Sequence, residues 1–277
     1  MYEEEVARVL SAGIPPIDFQ VAAIRRCDTN EPRGYITRAV INSLDLGTLT
    51  PADYLPVTDT DAVGLALTAR MIRKSLALLD GAEEPPALMA VHVPLALLRE
   101  RAPEAWLSPI LAQHRLQKPE TLCLCFDAPL LLEFGADAHN ALLHLKRSGV
   151  TLAVRGCGAD KIPLAPLMRL PVDYAFLSPE VTALADDRVH SDVLTGLVGY
   201  LHAMGQKVIA EDVSSDGTVA CARTSGMLRL PAFRILLRSQ RSGISLRGTD
   251  RDRGCRPWLI KKGAPCAGRQ KKSNATA

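Results

Sequence analysis

Short runs of β-branched and aliphatic residues alternate along the chain with longer stretches whose apolar positions recur every three to four residues. The runs Gly34–Ile41, Ala87–Val93, Thr121–Asp127, Val150–Arg155, Val172–Leu177 and Lys207–Val213 predict strands. Between them, Leu65–Leu79 places Leu65, Ala69, Ile72, Leu76 and Leu79 at helical spacing, with Arg70, Arg73 and Lys74 on other faces. Ala138–Arg147 and Val189–Met204 repeat that pattern, and Gly149 and Gly205 follow them as helix stops. Gly47, Pro51 and Pro56 predict a long connection after the first strand. At least six strand–helix alternations within roughly 230 residues predict an α/β fold on a parallel sheet, of the size a (β/α)8 barrel needs.

Composition narrows the class. With 277 residues, 47% hydrophobic and 23% charged, the chain is that of a folded globular protein and not a disordered one. Its longest apolar run, around Pro86–Leu98, is broken by His92 and Pro94 and is too short to span a bilayer. Glu3, Glu4 and Glu5 are the opposite of a basic signal-peptide start. Seven cysteines without a secreted framework's spacing predict reduced thiols and a cytoplasmic protein. Charge divides the chain: from Arg234 onward 12 Lys and Arg stand against 2 Asp, a net of +10, while the preceding 21 basic and 28 acidic residues leave −7. The expected units are a folded domain at 1–233 and a basic, flexible tail at 234–277. Trp258 is the tail's one aromatic residue and no reading element for bases is visible, so nucleic-acid contact through the tail is an alternative resting on charge alone.

Four stretches, in order, carry a resemblance to a known family. They are Gly47-x-Leu49-x-Pro51-x-Asp53-Tyr54-Leu55-Pro56, then Leu145–Ala153, then Leu164-x-x-Leu167-x-x-Leu170-Pro171-Val172-Asp173, and last Met204-Gly205-x-x-Val208-Ile209-Ala210-Glu211-x-Val213. Together they resemble the EAL domain family of cyclic di-GMP phosphodiesterases, over about residues 14–233. The resemblance implies a modified (β/α)8 TIM-like barrel with its first strand antiparallel, and chemistry at the C-terminal ends of its strands.

Laid on the family pattern, most of the implied site is replaced. The signature Glu-Ala-Leu falls on Ile36-Thr37-Arg38, and the metal-binding Asn on His92. The Glu of the next strand falls on Cys125 and its second Glu on Ala128. The paired Asp fall on Arg155 and Gly156, while Gly158 keeps the motif's final glycine. The catalytic Lys and following Asp fall on Phe176 and Ser178. Glu211 is retained; the second Glu of that motif is Ser214. Two hard cations need several oxygen ligands, so no metal, no cofactor and no phosphodiesterase activity are expected. The family's phosphate-contacting Arg falls on Val40, and its late Gln-Gly-Tyr on Pro231-Ala232-Phe233. Cyclic di-GMP binding is therefore not expected, with Gln20, Glu211 and Phe233 as the residual contacts it would use.

Other constellations add little. Arg155 and Glu211 emerge at one rim in the implied barrel and form a candidate ion pair, against two separately solvated side chains. His92, Cys125 and Cys157 have ligand chemistry for Zn²⁺ but no ligand spacing. Cys123-x-Cys125 is read as placing one thiol on each strand face, which disfavours a disulfide. No phosphate-cradling glycine loop or nucleophile elbow is present.

The leading expectation is a non-catalytic regulator of gene expression acting through a protein partner, itself a regulator of transcription. The resemblance extends here to stand-alone degenerate EAL proteins, both anti-activators and virulence-gene repressors of the BvgR type. A homodimer is expected by analogy, and membrane attachment is not. Two alternatives stand beside it: a cyclic di-GMP receptor that binds without hydrolysis, and a DNA-contacting regulator using the basic tail.

Overall fold

The computed structural model describes residues 2–13, 16–58, 62–82, 85–114, 116, 118–135, 137–159, 163–186, 188–213 and 226–230. The expectations placed on Ser214, on Pro231, Ala232 and Phe233, and on the tail 234–277 lie outside the described residues. Among the described residues, no helix is long and apolar enough to cross a membrane.

The chain begins with α1 (Tyr2–Ala12) and β1 (Ile17–Arg26), followed by β2 (Pro32–Ser43), β3 (Gly47–Leu49), α2 (Pro51–Thr58) and α3 (Ala62–Asp80). Next come β4 (Met89–His92), α4 (Pro103–Ala112), β5 (Leu122–Asp127), α5 (Ala128–Phe134) and α6 (Asp137–Lys146). The remainder is β6 (Thr151–Cys157), α7 (Leu164–Met168), β7 (Tyr174–Leu177), α8 (Pro179–Ala183), α9 (Arg188–Ala203), β8 (Lys207–Glu211) and β9 (Leu228–Leu230). The sheet runs β1-β9-β8-β7-β6-β5-β4-β2-β3, and an additional β1–β2 pairing curls its ends together. From β2 through β4 to β9 the ring pairs parallel, while β1 is antiparallel to both β2 and β9. The α/β barrel-like architecture and its reversed first strand thus match the sequence-based expectation.

Strand alternation creates two cores. Leu122, Leu124 and Phe126 of β5 face outward into a large cluster shared with the helices, as do Met89 and Val91 of β4 and Leu152 and Val154 of β6. The other face fills the barrel with Ala22, Ile24, Ile36, Ala90, Cys123, Cys125, Ala153, Tyr174, Phe176 and Ile209. Both Cys123 and Cys125 lie in this inner cluster, correcting the expectation of opposite faces, because residues two apart in a strand point the same way.

The long connection expected after the first strand is structured. Gly47, at φ +74°, turns β2 into the short antiparallel β3, with Ile41 opposite Leu49. Thr50 then starts α2: Asp53 Oδ2 accepts from the Thr50 backbone N–H and hydroxyl, both at 2.7 Å, and so satisfies a free donor at the helix start. Buried Tyr54 donates its hydroxyl to Ala39 O at 3.1 Å and fastens α2 to β2. On the opposite side, Asp173 ties three strands together. Its carboxylate accepts from Lys146 Nζ (2.8 Å) and Leu152 N (2.9 Å), and its carbonyl accepts from Lys207 N (2.8 Å). The Leu-Pro-Val-Asp signature is thereby a strand-registering element.

Candidate functional site at the barrel mouth

The C-terminal ends of the parallel strands bring inward-pointing polar side chains to one mouth. On β6, Arg155 follows Ala153 on the inner face; on β8, Glu211 follows Ile209. They meet in a two-pronged pair, Arg155 Nε donating to Glu211 Oε1 at 2.8 Å and Nη2 to Oε2 at 2.9 Å. Both side chains are largely buried, 14% and 12% exposed, so little water screens the pair. Burial opposes the Arg155 charge, but Glu211 and then Asp127 more than offset it and raise its pKa.

The third Arg155 nitrogen extends the network. Nη1 lies 2.9 Å from His92 Nδ1, and since a guanidinium can only donate, Nδ1 accepts and the ring proton sits on Nε2. That Nε2 is 2.8 Å from Asp127 Oδ1, yet it has no aligned hydrogen-bond partner, so the contact is electrostatic more than directional. Burial raises the Asp127 carboxyl, but the His92 ring and Arg155 outweigh it and hold the group below the usual carboxylate range. Phe176 completes the surround, its ring centroid 5.9 Å from the Arg155 guanidinium carbon.

A second cation stands on β2. Arg38 Nε donates to Gln20 Oε1 of β1 at 2.7 Å, across the register pair Gln20–Arg38. Its pKa is lowered by burial and by the nearby Arg155 charge, with Glu211 acting the other way. Arg155 and Glu211 therefore both act on Arg38 electrostatically.

The residues singled out from sequence divide into groups. Arg155, Glu211, His92 and Phe176 come together, and Gln20 joins through Arg38. Ile36 does not reach the mouth: it is fully buried, pairs with Ala90 and fills the inner core. Cys125 lies beside His92, its register partner on the neighbouring strand, with its thiol pKa raised well above normal by burial and by neighbouring Cys123. Gly156 at φ +75° turns the chain after Arg155. Ser178 is buried and caps α8, its Oγ accepting from Val181 N at 3.4 Å. Val40 is buried. Arg38 and Asp127 were missed as site residues. The signal was available for both, because Asp127 continues the inner face of Cys123 and Cys125, and Arg38 that of Ile36.

The arrangement does not fit a pair of divalent cations. Glu211 spends both oxygens on Arg155, Asp127 is engaged by His92, and the Arg155 charge lies between the two carboxylates. Among the described residues, no group of three His, Cys, Asp or Glu side chains is placed to hold a metal ion.

Comparison with known proteins places the chain. No curated protein sequence matches it significantly. Among solved structures, the FimX EAL domain from Pseudomonas aeruginosa bound to c-di-GMP superposes with a TM-score of 0.69 at 17% identity, covering 83% of this chain and 94% of that one. The EAL enzyme Bd1971, in its cAMP- and cyclic-di-GMP-bound form, gives 0.69 at 15% identity and 83% coverage; this chain spans 63% of its length. An EAL domain protein from Listeria monocytogenes gives 0.65 at 19% identity, covering 84% and 92%. The expectation that cyclic di-GMP binding is lost does not stand beside relatives of this fold that hold the ligand. Tallying replaced family side chains overlooked the cation that Arg38 brings to the mouth. The EAL domain family profile matches residues 17–229, and the chain belongs to the EAL domain family.

Proposed function

We propose that this EAL domain protein binds cyclic di-GMP without hydrolysing it and acts as a non-catalytic regulator. The observation that carries the reading is the Arg155–Glu211 pair. It places a fixed protein cation at the mouth and commits the carboxylate that the family motif retains. A cyclic dinucleotide brings two phosphodiester charges, and guanidinium groups suit such oxygens through paired N–H donors. Arg38 supplies such a guanidinium at the mouth, with Gln20 beside it as an amide for base or phosphate contact, while Arg155, whose charge is balanced by Glu211, keeps that carboxylate from repelling the ligand. Activating a water at neutral pH calls for a metal or a poised base. The carboxylates here are instead committed, Glu211 to the Arg155 guanidinium and Asp127 to the His92 ring. In this reading the output is passed to a macromolecular partner in gene-expression control.

The test is to incubate the purified chain with cyclic di-GMP and either Mg²⁺ or Mn²⁺, and separate the nucleotides by chromatography. The reading expects intact cyclic ligand in the protein-bound fraction. Appearance of the linear dinucleotide at enzyme-like rates would refute it.

A further inference from the structure

We propose a second ligand site, at the opposite end of the barrel, for a small organic anion of single-ring size. A cavity of about 250 Å³ opens there, lined by Arg33, Leu88, Tyr174, His202, Lys207 and Leu228 among others. These positions belong to strand beginnings: Lys207 opens β8, Tyr174 opens β7, Leu228 opens β9, Arg33 is the second residue of β2, and Leu88 immediately precedes β4. The cavity is therefore separated from Arg155 and Glu211 by the filled barrel interior.

Its chemistry is one-sided. Three lining groups are basic, Arg33, His202 and Lys207, and among the described residues no acidic one lines the cavity. Asp173, next to Tyr174 in sequence, is already committed to Lys146 and to the Leu152 N–H. Lys207 Nζ lies over the Tyr174 ring, 5.4 Å from its centroid, in place of a carboxylate. The floor is apolar and aromatic: Leu88 is 1% and Tyr174 8% exposed. Gly34 shapes it, since a Cβ there would come within 2.5 Å of Leu88 O, so its absence lets β2 close onto Leu88. A few convergent polar groups over an apolar floor is the general form of a small-molecule site. The volume suits one ring bearing one anionic head, phosphate or carboxylate, and is too small for a cyclic dinucleotide.

Phenyl phosphate titrated into the full-length chain, followed by ligand-observed NMR, tests the site. Saturable binding is expected below about 10 mM, weakening at least about tenfold in R33E/K207E and in the milder R33Q/K207M. Phenol, which has the ring without the charge, is expected to bind at least about tenfold more weakly, and saturating cyclic di-GMP should leave the phenyl phosphate isotherm unchanged. The last arm separates this site from the proposed mouth site, because competition would mean a single site. No saturation by about 10 mM, equal affinity in a charge variant that melts like the parent, or equal affinity for phenol would each overturn the proposal.

Discussion

Arg155 on β6 and Glu211 on β8 face each other across β7 and join through two hydrogen bonds of 2.8 and 2.9 Å. Because both groups are largely buried, breaking the pair from one side strands a charge. Glu211→Gln is therefore expected to lower stability by about 3 kcal/mol, whereas replacing both partners, as in R155M/E211M, costs far less. Thermal and denaturant unfolding of the two variants check this. A Glu211→Gln loss under about 0.5 kcal/mol would mean that the pair is water-screened like a surface bridge.

Arg38 is expected to matter for ligand and little for folding. Arg38→Ala should weaken cyclic di-GMP binding by about tenfold or more, and Gln20→Ala by less, with the melting transition moved only slightly. Calorimetric titration of each variant is the check. An unchanged affinity in Arg38→Ala would remove that guanidinium from the binding site.

Acid should act through Asp127. Its carboxyl is held below the ordinary range, so its contribution to stability is complete above about pH 4, the unfolded value, and disappears as pH falls through the depressed folded value. Asp127→Asn is expected to flatten the decline in stability below about pH 4 relative to the parent. Parallel curves for the two proteins would show that Asp127 is not held by His92 and Arg155.

The buried thiols should be chemically silent. Burial, and secondarily the Glu211 charge, pushes the Cys157 thiol up to about 12, and Cys125 is raised as well. Peptide mapping after iodoacetamide at mildly alkaline pH is expected to find Cys123, Cys125 and Cys157 unmodified until denaturant is added, and the partly exposed Cys27 modified before these three. Rapid native labelling of Cys157 would contradict its burial.

Gly34→Ala tests the close approach of β2 to the start of β4. The added methyl would meet Leu88 backbone, which cannot swing aside as a side-chain end can, so a loss of about 1–3 kcal/mol is expected on denaturant unfolding. A neutral result would show that the strand pair has slack.

The sequence discloses the fold better than the site, for a physical reason. The six apolar runs read as strands all form, because strands buried on both faces are near-continuous in hydrophobicity. β1 went unread: Asp18, Gln20 and the terminal Arg25 and Arg26 break its apolar run, and its pairing with β2 and β9 is long-range. α2 read as a loop because Pro56 lies within it, yet the Thr50–Asp53 cap and buried Tyr54 hold it. At the mouth, Arg155 and Glu211 were legible as a pair once the barrel was in view. The link from Arg155 to His92, 63 residues away, depends on strand stagger that no local pattern encodes. Arg38 was hidden differently: the family signature drew attention to Ile36, two residues back on the same face, which the structure buries in the inner core.

The central claim is binding without cleavage, with protein cations in the place of metal charge. It is tested most directly by calorimetric titration of cyclic di-GMP into the full chain in EDTA, repeated with excess Mg²⁺. The account predicts saturable binding of equal affinity in both buffers, and intact cyclic ligand recovered from the cell. Binding that needs the divalent ion, or a linear product recovered after the Mg²⁺ titration, would contradict it.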